Sequence, residues 1–85
     1  MSYHVDVSPA AAHALKRLPA SYRERISRAI AALSDEPRPD GVKKLRGVSH
    51  WRIRVGEYRV IYSVSDRERW VAVHEIERRT TTTYD

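Results

Sequence analysis

Residues 51 to 65, WRIRVGEYRVIYSVS, alternate between apolar and polar or charged side chains on either side of a central Gly56-Glu57. A period of two sends successive side chains to opposite faces of a strand. Trp51, Ile53 and Val55 therefore share one face, and Arg52 and Arg54 the other. Glycine supplies the positive φ needed at the first central position of a two-residue hairpin turn. The return strand sets Tyr58, Val60, Tyr62 and Val64 on one side and Arg59, Ile61, Ser63 and Ser65 on the other. A hairpin with one apolar face is stable only when another layer covers that face, and the rest of the chain has to supply it.

The preceding residues do so. Tyr3 to Val7 alternates as a half-buried strand. Ser8-Pro9 is an N-cap followed by proline at the first helical position, where its missing N–H is no loss. Ala11, Ala14, Leu15 and Leu18 then follow at helical spacing, which predicts a first helix to about Leu18, stopped by Pro19. Ser21-x-x-Glu24 has the form of a capping box opening a second helix, with Tyr22, Ile26, Ala29, Ile30 and Leu33 in one stripe. Residues 34–42, SDEPRPDGV, are loop by composition. Asp66 to Arg69 forms a charged turn, and Trp70 to Ile76 a final strand. The expected architecture is α+β, in the order β-α-α-β-β-β: an antiparallel meander sheet with a helical hairpin packed on one face, one domain over residues 1–85.

Charge narrows the partner class. Residues 43–62 contain six of the sixteen Lys+Arg residues and one acid, so their net charge equals the formal +5 of the whole protein. The flanks nearly cancel. A sequence pI near 10.0 with the excess confined to these twenty residues points to a phosphate-rich partner. With no cysteine there are no disulfides or thiolate metal sites. His4, His13, His50 and His74 lack metal-ligand spacing. No apolar run is long enough to span a bilayer, and the N-terminal residues do not read as a secretory signal, so the expected location is cytosolic with no membrane partner.

Arg52 and Arg54 lie two apart on one strand and so point the same way. If Arg59 does likewise, three guanidiniums converge on an area that a phosphodiester could occupy, with forked bonds to its oxygens. The same alternation is also the ordinary solvated face of an antiparallel sheet, and the residues alone leave both readings open. Lys43, Lys44 and Arg46 precede the hairpin, either as further phosphate contacts or as charges guarding a sheet edge. Trp51, Trp70 and Tyr62 alternate with the apolar set and are expected in the core.

KKLRG, then WRIRVGEYRVIYSVSD, a last apolar strand, two arginines and a near-terminal tyrosine together resemble the RelE toxins of bacterial type II toxin–antitoxin pairs, in the RelE/ParE superfamily. The likeness covers essentially the whole chain. It implies a RelE-like, compact ribonuclease with no metal or cofactor requirement that enters the ribosomal A site and cuts mRNA in the cytoplasm. It also implies a cognate antitoxin that blocks the basic face, and operator DNA contacted only through the antitoxin complex. In the implied reaction a ribose 2′-OH attacks its own 3′-phosphate, leaving a cyclic phosphate and a free 5′-OH. Carried over by position, the family's two basic residues on the first meander strand fall on Arg52 and Arg54, and its Y-R arginine falls on Arg59. Its arginine after the last strand falls on Arg79, with Arg78 as the alternative, and its near-terminal tyrosine on Tyr84. Arg59 and Arg79 would stabilise the phosphate, and Tyr84 would stack on a base or orient the 2′-OH. Lys43, Lys44 and Arg46 would contact ribosomal RNA.

This chain also departs from the family. The best-known member has lysines where Arg52 and Arg54 stand, and arginine makes a poor general base because it keeps its proton. Glu57 and His50 are the candidate proton acceptors, with His74 and Glu75 of similar standing. Glu77 occupies a position where the family usually has glycine. Two further readings follow: a ParE-like inhibitor of DNA gyrase, or a catalytically weakened member acting only through antitoxin and operator binding.

Overall fold

The computed structural model describes residues 2–45 and 49–78. The elements run β1 (His4–Val7), α1 (Pro9–Lys16), α2 (Ala20–Ala32), β2 (Lys43–Lys44), β3 (Trp51–Val55), β4 (Tyr58–Ser65) and β5 (Trp70–Arg78). They form one five-stranded sheet in the order β1-β5-β4-β3-β2. β3, β4 and β5 are the expected antiparallel meander. β1 lies parallel to β5, so the sheet is mixed. Parallel neighbours cannot be joined by a tight turn, and the helical hairpin carries the chain away from β1 over the sheet. The short β2, on Lys43 and Lys44, adds an outer edge beside β3.

Ser8 caps α1 as its sequence predicts. Its Oγ accepts from the Ala11 N–H at 3.0 Å, and its hydroxyl donates to the His74 carbonyl at 2.9 Å. One residue thus closes the helix and ties it to β5. The helix ends at Lys16, short of Leu18, which packs against the core from the turn. The capping box does not form. Pro19, extended at φ −54° and ψ 147°, starts α2 at Ala20, and its carbonyl accepts from the Arg23 N–H at 2.9 Å. Ser21 is therefore already inside the helix, and Glu24 pairs with Arg28 one turn on. At the other end of α2, the Tyr3 N–H donates to the Ser34 carbonyl at 2.7 Å, and the Ser34 hydroxyl donates to the Tyr3 carbonyl at 2.8 Å.

The core lies between the helices and one sheet face. Ala11, Ile26, Ile30 and Leu33 meet Val60, Tyr62, Val71 and Val73. Burying a large aliphatic side chain fully is worth about 1.5–3 kcal/mol before entropy is charged against it. Trp51, Ile53, Val55 and Tyr58 flank this cluster, leaving the arginine side of the hairpin on the face opposite the helices. Gly56 has φ +59°, the left-handed conformation expected at the first position of the turn.

One expectation for the core fails. Trp70 is 42 % exposed. A β-bulge interrupts the β4–β5 register, with Ile61 opposite Glu75 but Tyr62 opposite Val73. The bulge reverses the alternation along β5. Val71 and Val73 face the core, while Trp70 opens toward the other side, its ring centroid 4.1 Å from that of His4.

Candidate nucleic-acid interface

The hairpin register builds the basic face row by row. Arg54 is directly opposite Arg59, and Glu77 lies beyond Arg59 on β5. The next row runs Lys43, Arg52, Ile61, Glu75 across β2, β3, β4 and β5. Like charges directly opposite one another oppose strand pairing, so the Arg54–Arg59 juxtaposition is a cost to the fold. Glu77 offsets part of it, with Oε1 2.7 Å from Arg59 Nε. Arg52 and Arg54 thus share the face, as their spacing requires, and the hairpin register brings Arg59 to it.

Their exposures differ. Arg54 is exposed and Arg59 half-buried, whereas Arg52 keeps only 7 % of its surface and Ile61 beside it 6 %. A solvated sheet face would leave both open, so this one is not simply solvated. Lys43 and Lys44 are exposed on the edge strand. Lys43 stands in the Arg52 row, while the Lys44 ammonium lies 6.0 Å from the Trp51 ring centre.

Two expected residues are turned elsewhere. Arg78 is opposite Tyr58 and lines a groove with Ala14, Leu18, Tyr58 and Ile76, on the helix side. Glu57 sits exposed on the hairpin turn, with Oε1 3.6 Å from an Arg78 nitrogen. Neither joins the arginine rows. Arg46, Arg79 and Tyr84 lie outside the described residues.

His50 has a neighbour that its sequence position does not announce. Its ring stacks on His74 at 4.5 Å between centroids, with 23° between planes. His74 is the residue that the bulge inserts into β5, and its Nε2 shares a 2.8 Å hydrogen bond with Ser63 Oγ. Burial, and next the proximity of His50, hold the His74 imidazole below the ordinary histidine range, with Glu75 acting the other way. Histidine spacing could not have revealed this pair, because a bulge has no fixed sequence signature. Among the described residues, no three histidine or acidic side chains cluster as metal ligands would, and no helix is long and apolar enough to cross a membrane.

Two regions outside the basic face hold it in place. Arg38, in the loop after α2, makes a forked contact to Asp66 in the β4–β5 turn, at 3.0 and 2.9 Å. The Tyr3 hydroxyl donates to the same carboxylate at 2.7 Å. Arg38 and then Tyr3 hold the Asp66 carboxyl below the usual carboxylate range. At the hairpin turn, the Glu57 N–H donates to Tyr22 Oη at 3.4 Å, and the Tyr22 ring centre is 4.8 Å from that of Tyr58.

Known proteins share this fold and sequence pattern. The family described as the ParE toxin of the type II toxin–antitoxin system parDE matches residues 5–81. The RelE1 toxin candidate of Methanocaldococcus jannaschii is 30 % identical over 83 residues, covering 93 % of this chain and 92 % of that protein. The crystal structure of the archaeal RelE–RelB complex from Pyrococcus horikoshii OT3 contains a chain that superposes with a TM-score of 0.86 at 31 % identity, covering 96 % of this chain and 100 % of that one. A chain of the toxin–antitoxin complex RelBE2 from Mycobacterium tuberculosis gives 0.82 at 26 % identity, covering 93 % of this chain and 100 % of its own.

Proposed function

Because this chain belongs to the ParE toxin family of type II toxin–antitoxin systems, within the RelE/ParE superfamily, we propose that it is a ribosome-dependent endoribonuclease that stops translation by cutting mRNA in the A site. The observation that carries this reading is the cross-strand Arg54–Arg59 pair on the face opposite the helices, with Arg52 and Lys43 in the adjoining row. Guanidiniums in that arrangement hold a phosphodiester and offset the charge that gathers on its oxygens as the 2′-OH attacks. Arg79 adds a further cation, and Tyr84 orients the ribose or stacks on a base. Lys43, Lys44 and Arg46 hold ribosomal RNA by its backbone, a contact that carries no sequence information. The chemistry asks only for charge, orientation and proton transfer, so the site works without a metal. A cognate antitoxin, a partner supported by the RelE–RelB and RelBE2 complexes that the fold matches, restrains the toxin in the cytoplasm by covering the basic face.

The parDE description of the matching family supports a second reading, inhibition of DNA gyrase by binding. Induced expression separates the two. The ribonuclease reading expects an immediate fall in amino-acid incorporation, and primer extension on a translated message showing breaks within codons. Arg54→Ala with Arg59→Ala should abolish the breaks. Intact messages with altered plasmid supercoiling would replace this reading with the second.

A further inference from the structure

The arginine rows can hold phosphate, but arginine keeps its proton at any working pH, and the attacking 2′-OH has to lose one. The same face carries imidazoles one row further along. Continuing the β3–β4 register one step past Trp51 and Tyr62 brings His50 beside Ser63. The bulge brings His74 to Ser63 from the other strand, hydrogen-bonded at 2.8 Å. The rings stack at 4.5 Å. Same-face residues on one strand are about 6.6 Å apart, so a phosphate over Ile61 has the Arg54–Arg59 row on one side and the histidines on the other.

Resting on the ribonuclease reading above, we propose that the stacked His50–His74 pair is the proton acceptor of this site. The pair takes the 2′-hydroxyl proton as the bond from O2′ to phosphorus forms. The bond from phosphorus to the 5′-oxygen of the next nucleotide breaks, and the protonated pair returns a proton to that oxygen. The products are a 2′,3′-cyclic phosphate and a free 5′-OH, and the pair ends as it began.

The surroundings suit this role. The rings lie close enough that a charge on His50 disfavours a proton on His74. Burial and the neighbouring His50 keep His74 neutral to lower pH than an ordinary histidine, which preserves its lone pair where the reaction runs. Arg52 on β3 adds positive charge nearby, and Glu75 on β5 and Asp6 beside Ala72 on β1 add negative charge. The Ser63 hydrogen bond fixes the His74 ring, and the Ser8 hydroxyl holds its backbone carbonyl at 2.9 Å.

The test is single-turnover cleavage of a message on programmed ribosomes by the purified full chain, followed across pH. Wild-type cleavage should fall as acid protonates the pair. The double variant His50→Gln, His74→Gln should cleave about 100-fold more slowly or worse, should lose the acidic limb, and should regain rate when imidazole is added. Ser63→Ala keeps both rings and should shift the acidic limb, a change that packing alone would not cause. Circular dichroism confirms that each variant is folded. Wild-type cleavage with an unaltered rate and pH profile in the double variant, or in Ser63→Ala should the double variant not fold, overturns the proposal. A wild-type chain that leaves the message intact overturns the ribonuclease reading itself, and with it this role for the pair.

Discussion

Glu77 Oε1 accepts a 2.7 Å hydrogen bond from Arg59 Nε across the β4–β5 pair. A carboxylate oxygen there occupies one of the directions from which a phosphate oxygen would approach, so under the ribonuclease reading the toxin's own acid would compete with RNA for one guanidinium. Both side chains are partly exposed, at 21 % and 36 %, and exposed ion pairs contribute about 1 kcal/mol or less to stability.

Removing that competitor should strengthen RNA binding at little cost to the fold. Glu77→Gln is expected to lower the Kd for a short single-stranded RNA about threefold or more, read by fluorescence anisotropy. Neutralising one more phosphate should steepen the salt dependence by about 0.7 in log–log slope. Unchanged affinity and slope would mean that Glu77 orients Arg59 without blocking it. The thermal midpoint should move little.

The Asp66 carboxylate, bonded by Arg38 and Tyr3, joins the loop after α2, the β4–β5 turn and the residue preceding β1. Its folded-state affinity for protons is depressed, chiefly by the Arg38 contact. A depressed carboxyl contributes stability that is present above its unfolded pKa and lost as pH falls through the folded one. Asp66→Asn should therefore melt below wild type at pH 7. The gap should close as the pH falls below the unfolded value and through the depressed folded one. Thermal melts of both proteins at a series of pH values check this, and a gap independent of pH would assign the loss to packing.

What could be read in the sequence tracks how locally each feature is determined. The Arg52/Arg54 and Tyr58/Val60/Tyr62 alternations, the Ser8 cap and the Gly56 turn depend on residues within a few positions, and all four form. The Ser21–Glu24 box had equally good local form. It lost to Pro19, whose fixed φ begins the helix two residues early. The parallel seat of β1 and the forked Arg38–Asp66 pair join residues far apart in sequence, and no spacing rule reports them. Trp70 and the His50–His74 stack were hidden for one shared reason. The bulge at residues 73–75 shifts the alternation of β5 partway along, and a count from either end mistakes one half of the strand.

Gly56 cannot be replaced without moving Tyr22. A Cβ built at Gly56 would stand 2.6 Å from Tyr22 Oη and 2.7 Å from its Cε1, and the backbone there has φ +59°. Steric overlap and left-handed strain add. Gly56→Ala should destabilise the protein by about 2 kcal/mol or more in urea unfolding. Gly56→Ala in a Tyr22→Ala background removes the overlap and keeps the strain, so the added loss there should fall to about 1–2 kcal/mol. Equal losses in both backgrounds would show that the contact with Tyr22 does not constrain the turn.

Tyr62 places a hydroxyl inside the core for one partner. The residue is 0 % exposed, and its Oη donates to the Pro37 carbonyl at 2.8 Å. Pro37, itself buried, lies in the proline-rich loop that also presents Arg38 to Asp66, so this bond seats the loop against the sheet. Tyr62→Phe keeps the ring and leaves that carbonyl without its donor, which should cost about 1–2 kcal/mol, read as a lower urea midpoint at unchanged m. Burial also pushes the phenol up to about 12. A pKa raised in the folded state gives stability that is full below the unfolded value, about 10, and is lost as pH rises toward the folded one. Wild type should accordingly lose its advantage over Tyr62→Phe between about pH 10 and pH 12. The ultraviolet titration of the variant should lack the last tyrosinate step. A Tyr62→Phe protein as stable as wild type at pH 7 would show that water or another donor satisfies Pro37, and that the loop does not depend on this bond.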